Sequence, residues 1–168
     1  MDAALATLLV GVAGVGGTVA SGYLAQRAAQ RALCLEHERQ RHENLRDCYI
    51  AINSRARSCR YALADYVQAM ATGTLTDEIR QRAASAMDAH HTQYDEAQMV
   101  VADSVLTEAR SVNHKIGVLY GVLRRIDCGD LREDDTVQHA QRLLKELWTP
   151  LQSLREAMRL DLGVSEPH

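Results

Sequence analysis

Phenylalanine is absent from this 168-residue chain, tryptophan occurs once, at Trp148, and proline twice. With so few aromatics and prolines, alanine, leucine and valine dominate the apolar residues, and that is a helical vocabulary. Lysine is nearly absent too: Lys115 and Lys145 aside, every cation is arginine, as in products of GC-rich genomes. There is no basic excess, the net charge being −3 with both signs mixed along the chain. Nucleic acid is therefore not an expected partner. Cys34, Cys48, Cys59 and Cys128 form no C-x-x-C pair, which disfavours structural zinc. Cys48 and Cys59 share a helix face about three turns apart, too far to bond within that helix, and reduced thiols are expected. No nucleophile elbow and no repeated Glu-x-x-His pattern is present, so neither acyl transfer nor a di-iron bundle is supported.

The most telling absence is of charge: no charged side chain lies between Asp2 and Arg27. The run Ala3 to Ala25, about 23 residues at 1.5 Å rise, is long enough to cross the roughly 30 Å core of a bilayer. A cleaved signal peptide would open on Lys or Arg, whereas here the basic residues follow the run, at Arg27, Arg31, Arg39, Arg41 and Arg46. The positive-inside tendency then places the N-terminus outside and everything after the span in the cytoplasm. Tyr23 suits the inner interface.

Gly11-Val-Ala-Gly-Val-Gly16-Gly17-Thr18 comes close to a phosphate-binding loop but carries Gly17 where the lysine is required, and no βα units follow. A better account is a ridge of small residues, Ala13, Gly17, Ser21 and Ala25, at i, i+4 spacing. Such ridges let membrane helices approach closely, so self-association through the span is expected. His37-Glu38 with His42 misses the zincin spacing by one residue, which turns the two histidines to different faces.

Residues 26–44 are polar all round and read as a charged helical stalk. From there the pattern sharpens. Leu45, Tyr49, Ile52, Ala56, Cys59, Leu63, Tyr66 and Met70 follow 4-3 spacing and predict a helix stopped at Gly73. Thr76 caps a second helix with Ile79, Ala83, Ala86, His90 and Tyr94 on one face. A third, with Asp103 as its cap, carries Val105, Ala109, Val112, Ile116, Leu119, Leu123 and Ile126, and stops near Gly129. A fourth carries Val137, Ala140, Leu144, Leu147, Leu151, Leu154 and Met158 up to Gly163, with a kink or restart at Pro150 and Thr149 as cap. The fold class is all-α: one transmembrane helix (1–25), the stalk (26–44), an antiparallel bundle of three to four helices (45–163) and a disordered tail (164–168).

His90 and His91, with Asp88, are the best metal candidates, yet facing carboxylates are missing and no metal or cofactor is expected. His90 reads instead as a buried polar residue paired with a neighbour such as Tyr94, and His91 as solvated. Gly117 and Gly121 are costly inside a helix, and close helix packing is their expected reason, ahead of a groove for a partner helix.

The small-residue span, the arginine-rich stalk, Arg46-Asp-Cys-Tyr49, Tyr94-Asp-Glu-Ala-Gln-Met-Val-Val101 and Met158-Arg-Leu-Asp-Leu-Gly163 together resemble uncharacterised actinobacterial single-span membrane proteins with a cytoplasmic helical domain. The resemblance implies a topology and a bacterial cell membrane, and brings no catalytic residue. The expected function is that of a noncatalytic, membrane-anchored interaction or scaffold protein, whose partners are the lipid bilayer, further copies of itself and an unidentified protein. The alternative is a phage-type pore-forming protein acting through its N-terminal span.

Overall fold

The computed structural model describes residues 2–164, with side chains from Gln26 onward except Ala28. Its elements, in order, are α1 (Asp2–Thr72), α2 (Asp77–Ala97), α3 (Asp103–Cys128), α4 (Val137–Glu146) and α5 (Trp148–Asp161). No strand occurs among the described residues. The chain divides into two units, Met1–Glu43 and Asn44–His168. Among the described residues no helix is long and apolar enough to cross a membrane. The expected span, with its ridge Ala13, Gly17, Ser21 and Ala25, lies outside the residues whose side chains are described, as does most of the expected tail.

In the second unit the 4-3 stripes become the core. On α1, Tyr49, Ile52, Ala56, Cys59, Leu63 and Tyr66 are buried, with Leu45 and Met70 packed at the margins. They meet Ala83, Met87 and His90 of α2, the α3 stripe from Val105 to Leu123, and Ala140, Leu147, Leu151, Leu154 and Met158 of the last two helices. The helix directions follow from contacts at the two ends. Tyr49, early in this part of α1, donates a hydrogen bond to Asp161 at the end of α5 (2.6 Å). Tyr66, late in α1, donates to Asp127 near the end of α3 (2.8 Å), and Arg80 from the start of α2 reaches the same carboxylate. Thus α1 and α3 run one way, and α2 and the α4–α5 arm the other, as in an up-and-down bundle.

The helix ends obey local rules. Gly73 has φ +68°, and paired bonds from Gly73 N to Met70 O and Thr74 N to Ala69 O close α1 in a Schellman motif. The same pair of bonds recurs past α3 and α5. Thr76 caps α2 through Ile79 N, as expected. Two ends differ. Ala102, extended and without a side-chain cap bond, precedes α3, and Asp103 is the first helical residue. The fourth helix breaks at Leu147, not at a Thr149 cap: Pro150 has no N–H for the Glu146 carbonyl, and it sits in the first turn of α5, where that bond is dispensable. Thr136, unremarked in the pattern, caps α4 through His139 N (3.0 Å).

Candidate functional site: an arginine and aromatic groove

Asn53, Arg57, Arg60 and Tyr61 recur on one outer face of α1, and Trp148, Gln152 and Arg155 at i, i+4, i+7 line the facing edge of α5. Leu151 forms the floor, and a cavity of about 70 Å³ lies between the helices. The guanidinium of Arg60 stands 5.3 Å from the centre of the Trp148 ring and 5.9 Å from that of Tyr61, within cation–π range of both. Its Nε is buried and has no hydrogen-bond partner. Arg57 Nη2 donates a long bond to the Tyr61 hydroxyl (3.5 Å) and, with the charge of Arg57, favours the phenolate, lowering that phenol's pKa. Tyr61 and Trp148 remain about half exposed, at 54% and 51%. Among the described residues, none of the three arginines pairs with a carboxylate, and between Asp47 and Asp65 α1 carries no acidic residue at all.

At the Tyr66 end of the bundle two arginines are neutralised. Arg80 grips Asp127 through Nε and Nη2 (2.8 and 2.9 Å) and Asp77 through Nη1 (2.8 Å). Arg125 grips Asp135 through Nε and Nη2 (2.6 and 2.8 Å), and the Arg132 amide donates to the same carboxylate. These bonds hold both aspartates ionised: Asp127 titrates below the usual carboxylate range and Asp135 at about 2. The Tyr49 and Tyr66 phenols shift upward instead, through burial and then through their bonds to Asp161 and Asp127.

The residues singled out in the sequence fall elsewhere. His90 is buried, 2% exposed, and burial followed by the charge of His91 lowers its pKa to about 4. Its polar neighbour is Asn113, not Tyr94; His90 Nε2 and Asn113 Oδ1 both lack a hydrogen-bond partner. His91 is exposed, its ring 6.1 Å from that of His90. No group of three potential metal ligands occurs among the described residues. Cys59 is sealed against the Met87 sulfur (3.4 Å), and burial pushes its thiol up to about 12, so it is no nucleophile. Close packing does not explain the α3 glycines. A Cβ added at Gly117 would meet nothing within 4 Å, and one at Gly121 only the flexible Nη1 end of Arg125, at 3.3 Å.

No protein-family model, curated protein or solved structure matches this chain. Apolar periodicity does not reveal the groove, because it reports the inner face of a helix and these residues lie outside it. One signal was present: the single tryptophan begins a polar stripe, Trp148-Gln152-Arg155, at helical spacing.

Proposed function

We propose that this protein is a membrane-anchored, noncatalytic helical interaction protein. Its Ala3–Ala25 segment holds it in a bacterial membrane, N-terminus outside, and its bundle presents a binding face in the cytoplasm. The observation that carries the reading is the α1–α5 groove: Arg57, Arg60 and Arg155 lack carboxylate partners and frame half-exposed Tyr61 and Trp148. Trp, Tyr and Arg are the side chains most enriched among residues that dominate binding energy at protein interfaces. The noncatalytic part is supported by the sequence, which carries neither a nucleophile elbow nor a repeated Glu-x-x-His pattern. The anchor is supported by the uncharged run and the arginines after it. The resemblance to actinobacterial single-span proteins agrees with that topology, and the small-residue ridge supplies a surface for self-association.

Two measurements test this. The full chain should sediment with membranes and resist carbonate extraction, while a chain lacking residues 2–25 should not. A photo-cross-linking residue in place of Gln152 should give discrete adducts in cells, and one in place of exposed Arg110 should not. Permeabilised cells on expression of residues 1–30 alone would favour the pore-forming alternative and overturn the proposal.

A further inference from the structure

We infer that the α1–α5 groove docks an acidic peptide segment of a partner protein, with a carboxylate among Arg57, Arg60 and Arg155 and an apolar side chain against Trp148 and Tyr61. This inference rests on reading the chain as an interaction protein and names the chemistry that its binding face selects. The first argument is charge. Between Asn44 and His168 there are 15 Lys and Arg against 18 Asp and Glu, a net of −3, yet the groove gathers three cations and no anion. Like charges held together repel, so an arrangement without counter-charges is most favourable when an anion arrives from outside.

The second argument is an unfilled donor. Arg60 Nε is cut off from solvent without an acceptor, and an unpaired buried donor is costly until something accepts from it. A carboxylate entering beside the Trp148 ring can draw that side chain outward and accept from it, and planar guanidinium groups match its two oxygens. The third argument is the mixture of surfaces. A bare inorganic anion would use the arginines but leave the two half-exposed rings in water, whereas an acidic residue next to an apolar one fills both. The lining runs about two turns along each of two antiparallel helices, Asn53 to Tyr61 and Trp148 to Arg155, long enough to meet a few residues of a peptide laid along them.

Trp148 is the only tryptophan, so the emission of the unlabelled full chain reports on the groove itself. In zwitterionic detergent, the chain is titrated with the capped peptide Glu-Glu-Leu-Glu-Glu-Leu, its Gln-for-Glu counterpart, inorganic phosphate and phosphatidylglycerol vesicles. The expected result is a saturable shift with the glutamate peptide alone. It should weaken with added salt, and by about tenfold or more in the double variant Arg57→Gln, Arg155→Gln, with helicity unchanged. The double variant Arg110→Gln, Arg142→Gln should bind as the native chain does. Equal binding of the glutamine peptide, a shift reproduced by phosphate or by vesicles, or no shift with any probe would each overturn the assignment. Adducts at Gln152 that persist in cells despite such a result would show that the interaction reading survives and that only the ligand class has failed.

Discussion

At the Tyr66 end of the bundle, Arg80 and Arg125 each meet a carboxylate through two nitrogens, whereas in the α1–α5 groove Arg57, Arg60 and Arg155 meet none. The residue type is the same, and so is its position at the border of the same core. What differs is the supply of aspartate: Asp127 and Asp135 stand at the end of α3 and just before α4, while α1 runs from Asp47 to Asp65 without an acid. Paired arginines tie elements of the bundle to one another, and the bare ones keep bonding capacity unfilled. His90 shows a third treatment of a basic group, since the core keeps it neutral.

The comparison can be broken in several places. The largest effect should come from His90, whose pKa falls from 6.5 to about 4 on folding. The unfolded chain then binds a proton that the folded one refuses, so stability should drop as pH falls from about 6.5 to 4, by roughly 3 kcal/mol, and level off below. Urea midpoints across that range measure it, and His90→Gln should flatten this limb alone. The paired aspartates act lower: their folded pKa values are depressed, so their contribution is full above about 4 and is lost as acid titrates them.

Next in size, Asp127→Ala strips Arg80 of its two-point grip and leaves the Tyr66 hydroxyl, on a residue 1% exposed, without its acceptor. A loss of about 2 kcal/mol in chemical denaturation is expected, less than for an enclosed ion pair because Arg80 remains 39% exposed. Gly117→Ala should work in the other direction. With nothing near the added methyl, thermal melts should show a gain of roughly 0.5–1 kcal/mol from helix propensity. The smallest change in stability belongs to the groove. The double variant Arg57→Gln, Arg155→Gln should leave the urea midpoint within about 0.5 kcal/mol of native. A loss comparable to that of Asp127→Ala would mean that the groove arginines serve the fold, and the contrast between the two regions would collapse.

Much of the bundle was legible in the sequence because burial imposes a period. All eight residues of the Leu45–Met70 stripe lie in or against the core, and Gly73, Gly129 and Gly163 end helices by adopting the left-handed backbone that glycine tolerates. Met87 does not stand out on α2, whose stripe is diluted by alanines, and Leu147 reads as mid-helix because apolar spacing continues through the break. The groove was not legible. Arg57 and Arg155 lie nearly a hundred positions apart, and only the docking of α5 on α1 joins them. Neutralisation was equally hidden: Glu133-Asp134-Asp135 reads as a solvated acidic run, yet Asp135 is buried against Arg125 while its neighbours stay exposed.

The interruption at Leu147 also bears on how the molecule comes apart. It leaves α4 only ten residues long, with Ala140 as its one fully enclosed side chain, whereas α5 buries Pro150, Leu151, Leu154 and Met158. Amide bonds still pass through Leu147, from its N to Leu143 O and from Leu151 N to its O, so the break thins the ladder and does not cut it, and so short a helix has little intrinsic persistence. The α4 amides should therefore exchange with solvent sooner than those of α5, which holds more of the core. The side of the bundle that carries Trp148 and Arg155 thus rests on the more deeply seated of the two helices.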